Sequence, residues 1–215
     1  MRLLVARHGA TQHNLDGRFT GQFDAPLSAL GKRQAEALAA RLAGQRFDAI
    51  ISSDLLRARQ TAGCIAARCG QEVTLDPDLR EVSMGAWEGR SVAEIRREEG
   101  ALLAEIETDT TGEISYPQGE SAAQLRARVL GALSRCQARH PQGYVLWVTH
   151  GGVISALLLH ALGLSNERRW QFARGNTSLF EFEYLPAMVK ILRANDTSHL
   201  ELLSAAEDGE RSQVI

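Results

Sequence analysis

The chain has 215 residues, 44% of them hydrophobic and 23% charged, with a formal net charge of −2. This length predicts one domain, or two at most, around a sizeable core, and a near-neutral charge argues against a nucleic-acid-binding protein, which needs a basic surface. The three cysteines, Cys64, Cys69 and Cys136, form no Cys-x-x-Cys pair, so we expect reduced thiols in a cytoplasmic protein. No segment approaches the ~18 apolar residues of a membrane span, and the apolar stretch within residues 1–8 is too short for a secretory signal.

An apolar run over residues 3–6 begins the chain and ends in Arg7, His8 and Gly9. Such a run, stopped by a glycine, predicts a buried strand. In open α/β sheets, ligands bind beyond the carboxyl ends of the strands. A guanidinium beside an imidazole at such an end therefore indicates an anion site that contains a nucleophile. The alternative is that Arg7 and His8 are solvated loop residues.

Helices and strands alternate along the rest of the chain. A long polar loop over 9–26, of a length that is usually functional, leads to Ser28, a suitable N-cap for a helix that ends at Gly44. Helical spacing of apolar residues recurs at 55–69, 92–106, 121–138 and 153–162. Apolar runs typical of strands lie at 47–51, 73–75, 144–149, 179–184 and 188–192.

This alternation predicts an α/β fold with a mostly parallel sheet between two layers of helices. We expect a single domain over residues 1–204. Within it, the segment at about 92–120 reads as a small helical lid over the strand ends. Residues 205–215 are charged and small, and we expect a loose C-terminal tail there.

Three of the predicted strands end in polar clusters, which are RHG at 7–9, SSD at 52–54 and HGG at 150–152. Crossover connections bring such ends to one edge of a sheet, together with Arg57. The resulting set of donors suits a phosphoryl group, whose charge is spread over three oxygens. The chain has no Walker A loop, Rossmann glycine pattern, Asp-x-Asp metal cradle or serine elbow. We therefore expect arginine and histidine to supply the positive charge, with no metal and no cofactor.

Five blocks of the chain resemble the histidine phosphatase superfamily, which includes the cofactor-dependent phosphoglycerate mutases and their phosphatase relatives. The blocks are LLVARHGAT-x-x-N, GRFTGQFDAPLSALGKRQA, SSDLLRARQTA, LREVSMGAWEG and VTHGGVI. They occur in the family's order and spacing over about residues 2–200. The resemblance implies a doubly wound, phosphoglycerate mutase-like α/β domain around a six-stranded sheet.

The resemblance also implies roles for individual residues. His8 would attack phosphorus and become phosphohistidine, while Arg7, Arg57 and His150 would hold the phosphoryl oxygens. Glu81 would protonate the leaving alkoxide and then deprotonate the attacking water. His8 must be neutral to attack, and adjacent guanidinium charges disfavour its protonation. The residues expected to line the same pocket are Asn14, Thr20, Gly21, Gly151 and Met84.

Two further features are assigned to structural support. The segment at 176–178, Asn-Thr-Ser, we expect to lie behind the His150 loop. His199, in NDTSHL, resembles the end of a C-terminal strand in phosphatase members, and we favour a structural role for it.

The charge of the lid segment bears on the substrate. Phosphoglycerate mutases of the family carry a longer, basic insertion, whereas acidic residues dominate here over Arg90, Arg96 and Arg97. These acidic residues are Glu94, Glu98, Glu99, Glu105, Glu107, Asp109, Glu113 and Glu120. Because a negative lid would repel a bisphosphorylated sugar acid, we expect a phosphatase for a small phosphomonoester whose remainder is neutral or carries an amine, such as phosphoserine or α-ribazole phosphate.

Other functions stay open from the sequence. The first alternative is a phosphoglycerate mutase, and a more remote one is a catalytically silent module that binds a phosphorylated ligand. We expect no nucleic acid and no membrane as partner, and a homodimer stays open.

Overall fold

The computed structural model describes residues 1–201 and 203, and the predicted tail at 205–215 lies outside this part of the chain. Six strands form one sheet in the order β3-β2-β4-β1-β5-β6. The strands are β1 (Arg2–Arg7), β2 (Ala49–Ser52), β3 (Val73–Leu75), β4 (Tyr144–Thr149), β5 (Leu179–Leu185) and β6 (Met188–Asp196).

The first four strands run parallel, whereas β5 is antiparallel to β1 and β6 is antiparallel to β5. At the centre of the sheet, Arg7 of β1 lies opposite Thr149 of β4. On its other side β4 pairs with β2, where Ser52 lies opposite Val148. This register brings the carboxyl ends of three strands to one edge, as the sequence predicts.

Seven α-helices connect and cover the strands within the described residues. They are α1 (Gln12–Leu15), α2 (Ala29–Arg41), α3 (Leu56–Cys69), α4 (Val92–Glu98), α5 (Gly100–Thr108), α6 (Ala122–Arg139) and α7 (Gly151–Leu162). Ser28 caps α2 by accepting a hydrogen bond from the Gly31 amide. Gly70 and Gly163 end α3 and α7 in the left-handed conformation, which glycine adopts at no steric cost.

The core lies on both faces of the sheet. Alternate residues of β1 point to opposite sides, so Leu3 and Val5 pack in a cluster with residues of α6 and α7, while Leu4 and Ala6 pack with residues of α2 and α3. This is the period-two pattern of a strand that is buried on both faces. The three-layer α/β architecture predicted from the sequence is confirmed.

Two helix predictions differ from the structure in detail. The helix expected at 92–106 is two helices, α4 and α5, which are broken at Glu99. Glu99 accepts hydrogen bonds from the Trp87 indole at 2.8 Å and from Arg90, so its side chain ties the break to the preceding segment. The long loop at 9–26 contains the one-turn helix α1, which Thr11 caps. None of the described helices is both long and apolar enough to cross a membrane.

Candidate active site

The carboxyl ends of β1, β2 and β4 bring together three of the predicted catalytic side chains. His8 follows β1, His150 follows β4, and Arg57 lies in the first turn of α3, just after β2. The rings of His8 and His150 lie 5.1 Å apart between their centroids. All three side chains are buried. They form the centre of the candidate site.

The imidazole of His8 is held with one nitrogen free to react. Its Nδ1 lies 2.7 Å from the Gly9 carbonyl oxygen, and since a carbonyl can only accept, Nδ1 carries the proton. The Nε2 atom then has the lone pair. Burial, followed by the charges of Arg57 and Arg7, holds the pKa of His8 well below its usual value of 6.5. The neutral state expected from the sequence therefore has burial as its main cause.

Arg57 is positioned by the loop that precedes α2. Its Nη1 donates to the Phe23 carbonyl at 2.9 Å and its Nη2 to the Gly21 carbonyl at 2.7 Å. Its Nε points at Nε2 of His8, 3.3 Å away. Burial lowers the pKa of this arginine to about 10, so the guanidinium stays charged at neutral pH.

His150 is oriented by Ser53, a residue to which the sequence alone assigns no role of its own. The Ser53 hydroxyl lies 2.8 Å from Nε2 of His150 and also accepts a hydrogen bond from the Leu55 amide. Donation of the hydroxyl proton to Nε2 places the ring proton on Nδ1. That Nδ1 is buried and has no protein partner among the described residues, so it is a donor that a ligand can use. Burial is the main reason that the pKa of His150 is also well below 6.5.

Arg7 and Glu81 lie beside the amino end of α7. The Nε of Arg7 is buried without a partner in the described chain, and burial lowers the pKa of this arginine. The Glu81 carboxylate accepts hydrogen bonds from the amides of Val82 and Gly152 at 2.9 and 3.1 Å. A Cβ atom at Gly152 would overlap Glu81 Oε1, so only glycine allows this approach of carboxylate and helix.

The segment that carries Glu81 is held from behind by groups that the sequence does not single out. Arg128 of α6 donates to the Glu81 carbonyl at 2.8 Å, and Gln22 donates to the same oxygen at 3.1 Å. The Thr149 hydroxyl donates to the Leu79 carbonyl at 2.7 Å. These bonds fix the Glu81 backbone against β4, and they come from segments that are 47 to 70 residues away in sequence, which no local motif reveals.

The residues expected to line the pocket occupy different positions. Gly151 and Met84 line a cavity together with Arg7 and Glu81. Gly21 contributes its carbonyl to Arg57, and the buried hydroxyl of Thr20 has no partner in the described residues. Asn14 completes the capping box of α1, where its Oδ1 accepts from the Thr11 amide. Its Oδ1 lies 3.4 Å from the side-chain amide of Asn176, which in turn donates to the His8 carbonyl.

The segment at 176–178 lies behind His8, not behind the His150 loop. The Thr177 amide and the Asn176 side chain both donate to the His8 carbonyl, at 3.2 and 3.1 Å. This correction follows from strand order, because β5 pairs with β1 and not with β4. The structural role expected for His199 agrees with its contacts, since its Nε2 lies 3.1 Å from the Thr177 hydroxyl.

A cavity of about 690 Å³ begins at Arg7, Glu81 and Gly151. It extends between α6, α7, the segment at 106–116 and the segment at 166–174. Of the eight acidic residues of the predicted lid, only Asp109 and Glu113 line it. The carboxylate of Asp109 is already occupied by the amides of Thr111, Gly112 and Ile114, which hold its pKa at about 2 despite the opposing effect of burial.

Other acidic residues of this segment make contacts within the protein, outside the cavity. Glu94 caps α4, and Glu120 pairs with Arg128. Most of the acidic side chains that the sequence places in the lid therefore lie outside this cavity. Among the described residues, no group of three or more His, Cys, Asp or Glu side chains could hold a metal ion.

The family model of the histidine phosphatase superfamily (branch 1) matches residues 3–197. The chain belongs to this superfamily. A curated relative, the probable phosphoglycerate mutase GpmB of Proteus mirabilis, is 38% identical over 205 residues, which are 93% of this chain and 95% of that protein.

Solved structures of the superfamily show the same fold. A phosphoserine phosphatase of Entamoeba histolytica, in complex with phosphoserine, has a TM-score of 0.84 at 28% identity and covers 93% of this chain and 98% of its own. The protein YhfR of Bacillus stearothermophilus has a TM-score of 0.85 at 29% identity, with coverage of 93% and 99%. The superfamily thus contains neighbours named as mutases and as phosphatases.

Proposed function

We propose that this protein is a metal-independent phosphatase that hydrolyses small phosphomonoesters through a phosphohistidine intermediate on His8. The observation that carries the proposal is the state of the His8 ring. The Gly9 carbonyl fixes the proton on Nδ1, burial keeps the ring neutral, and the lone pair of Nε2 faces a buried guanidinium. A nucleophile beside fixed positive charge is the arrangement that phosphoryl transfer needs.

In the first step, the Nε2 lone pair attacks phosphorus while the ester P–O bond breaks. Three donors are free to hold the phosphoryl oxygens: the unpaired Nε of Arg7, the unpaired Nδ1 of His150 and the Nε of Arg57, which exchanges its contact with His8 for an oxygen. Glu81 gives its proton to the departing oxygen.

In the second step, Glu81 takes a proton from water, and that water attacks the phosphorus of phosphohistidine. The N–P bond breaks, inorganic phosphate leaves, and Nε2 regains its lone pair. The cavity beside Glu81 has room for both the leaving group and the incoming water. This room supports hydrolysis, because a mutase has to keep water away from its phosphoenzyme.

The proposal is tested by hydrolysis of p-nitrophenyl phosphate in EDTA, by wild type and His8→Ala. We expect wild-type turnover in the chelator and none in the variant. Acid quenching would destroy the adduct, so an alkaline quench followed by mass spectrometry should find one phosphoryl group on His8. An adduct on another residue, or activity that EDTA removes, would contradict the proposal.

A phosphoglycerate mutase is the second candidate, because the curated relatives that the chain matches carry that name. The discriminating assay uses 3-phosphoglycerate with 2,3-bisphosphoglycerate as primer, and follows 2-phosphoglycerate and inorganic phosphate together. Strong isomerisation with negligible release of phosphate would favour the mutase. Release of phosphate as the main product supports the phosphatase.

A silent ligand-binding module fits the site less well. His8, Arg57 and His150 are in contact distance, and Arg7 and Glu81 lie beside them. A module that only bound a phosphorylated ligand would not need a carboxylate at this position. A cytoplasmic location and a homodimer stay predictions.

A further inference from the structure

The cavity is much larger than a phosphoryl group requires. Its walls beyond Arg7 and Glu81 are mostly apolar. The large apolar side chains in these walls include Ile106, Ile114, Leu130, Leu159, Trp170 and Phe172. Apolar walls of this extent gain free energy only from a ligand that removes them from water. The leaving group that fits here therefore has a bulky apolar body.

Arg174 is one of the charged residues of this wall, together with Arg126, Arg169, Asp109 and Glu113, and no sequence motif singles it out. Its Nη1 donates to the Ser155 hydroxyl and to the Arg169 carbonyl, which fixes the side chain against α7. Its Nε and Nη2 have no hydrogen-bond partner in the described chain, and no ion pair there involves it. Its Cζ lies 5.9 Å from the centre of the Trp170 ring. Burial lowers its pKa, and Glu81 is the carboxylate that opposes this effect.

A partly buried cation without a carboxylate partner is costly, so proteins usually pair it. Arg174 lies close to Arg7: its charge is one cause of the lowered pKa of Arg7, after burial, and Arg7 donates to the Arg174 carbonyl. One ligand can thus reach both groups, with its phosphoryl at Arg7 and a second anionic group at Arg174. A carboxylate matches the two free donors of a guanidinium.

We propose that Arg174 binds a carboxylate on the leaving group of the substrate, and that the rest of this leaving group is a bulky apolar body that fills the cavity. The proposal rests on the function proposed above. It differs from the neutral or amine-bearing remainder expected from the acidic lid, of whose eight acidic residues only Asp109 and Glu113 line the cavity. The substrate class is an amphiphilic acid with one phosphate ester.

The test compares matched pairs of aryl phosphates. One pair is 6-carboxy-2-naphthyl phosphate and its neutral carboxamide analogue, and the other is 3-carboxyphenyl phosphate and its carboxamide. In wild type, we expect kcat/KM to be higher for the carboxylate of each pair, and higher for naphthyl than for phenyl. Equal or lower values for the carboxylates would overturn the proposal without any variant.

Arg174→Gln should lower kcat/KM for the carboxylates by at least about tenfold, the loss of one charge-assisted hydrogen bond, mainly through KM. The carboxamides should change by less than about twofold. Arg174→Lys should recover part of the loss. The matched control is Arg168→Gln, since Arg168 is an exposed arginine that does not line the cavity, and it should change neither the carboxylates nor the carboxamides. An equal loss on carboxylates and carboxamides would instead show that Arg174 acts on the phosphoryl group, and would overturn the proposal.

The phosphohistidine assay is run on the same preparations with phenyl phosphate. If phosphate appears on His8 but carboxylates are not preferred, only the inference about Arg174 fails. If His8 carries no phosphate, the proposed function fails as well. Melting temperatures of the variants at pH 7.5 show whether each is folded.

Discussion

Nε of Arg57 lies 3.3 Å from Nε2 of His8, so a buried guanidinium faces the ring nitrogen that carries the lone pair. In the proposed mechanism, a phosphoryl oxygen takes the place of this contact. The outer nitrogens of Arg57 are both used by the carbonyls of Gly21 and Phe23. Each of the three nitrogens of the guanidinium therefore has its own acceptor: Nε2 of His8 for Nε, and the two carbonyl oxygens for Nη1 and Nη2.

Replacement of Arg57 by lysine is expected to lower kcat by about 100-fold, because one ammonium group cannot make these three contacts at once. Steady-state kinetics with p-nitrophenyl phosphate measures the effect. The control is Arg59→Lys on the same helix, since Arg59 is exposed. A loss of similar size in both variants would show that charge near α3, and not the directed contact, is what matters.

Glu81→Gln is expected to affect poor leaving groups far more than good ones. An alkoxide needs a proton as it leaves, whereas p-nitrophenolate does not. We expect the rate of phosphorylation of His8 to fall by about 100-fold or more with an alkyl phosphate and by much less with p-nitrophenyl phosphate. Rapid-quench measurement of the first turnover separates this step from hydrolysis. Glu113→Gln, a change at an exposed carboxylate of the same cavity, should leave both rates unchanged.

Ser53→Ala is expected to lower kcat by about tenfold with little change in KM, because His150 loses the group that sets its tautomer. Nitrogen NMR of labelled protein should show a mixture of ring tautomers in place of one. Ser52→Ala serves as control, since the Ser52 hydroxyl donates to the Ser53 carbonyl and not to the imidazole. A single Nδ1–H tautomer in Ser53→Ala would contradict this role.

The free energy of unfolding is expected to depend on pH through the buried histidines. Burial lowers the pKa values of His8 and His150 well below 6.5, and that of His199 to about 4. The unfolded chain therefore binds more protons than the folded one below pH 6.5. The contribution of these neutral histidines to the free energy of unfolding should be fully present above pH 6.5. It should decrease as the pH falls from 6.5 towards 4.

Urea unfolding at several pH values measures this dependence. His199→Gln removes one of the titrating groups, so its stability should fall less steeply than that of wild type between pH 6.5 and 4.5. The same comparison at pH 7.5 gives the loss that is due to its hydrogen bonds alone. A steeper decrease in the variant would show that the sign of the shift at His199 is wrong.

The fold and the centre of the site follow from local signals in the sequence. The apolar run of β1, the serine cap at Ser28 and the glycine that ends α3 each encode a boundary within a few residues. Because the ends of parallel strands share one edge, the positions of His8 and His150 also follow. Both the boundaries of the elements and the positions of these two histidines are thus determined by short segments of the sequence.

The supporting residues do not follow from such signals. Ser53 and Arg128 act through partners that are 97 and 47 residues away. At the break between α4 and α5, Glu99 accepts a hydrogen bond from Trp87, a tertiary contact that helical spacing does not reveal. Composition also does not say which acidic residues of the lid face the cavity, where Asp109 and Glu113 lie while Glu94 caps α4.

The position of β4 in the sheet has a consequence for biosynthesis. This strand lies between β1 and β2, yet it begins 137 residues after the end of β1 and 92 residues after the end of β2. While the ribosome is still making the middle of the chain, β1 and the edge of β2 that does not pair with β3 have no neighbouring strand, and unpaired edges of this kind associate readily. We expect nascent chains that stall before residue 144 to need a chaperone. The candidate active site should form only when β4 has paired with both β1 and β2.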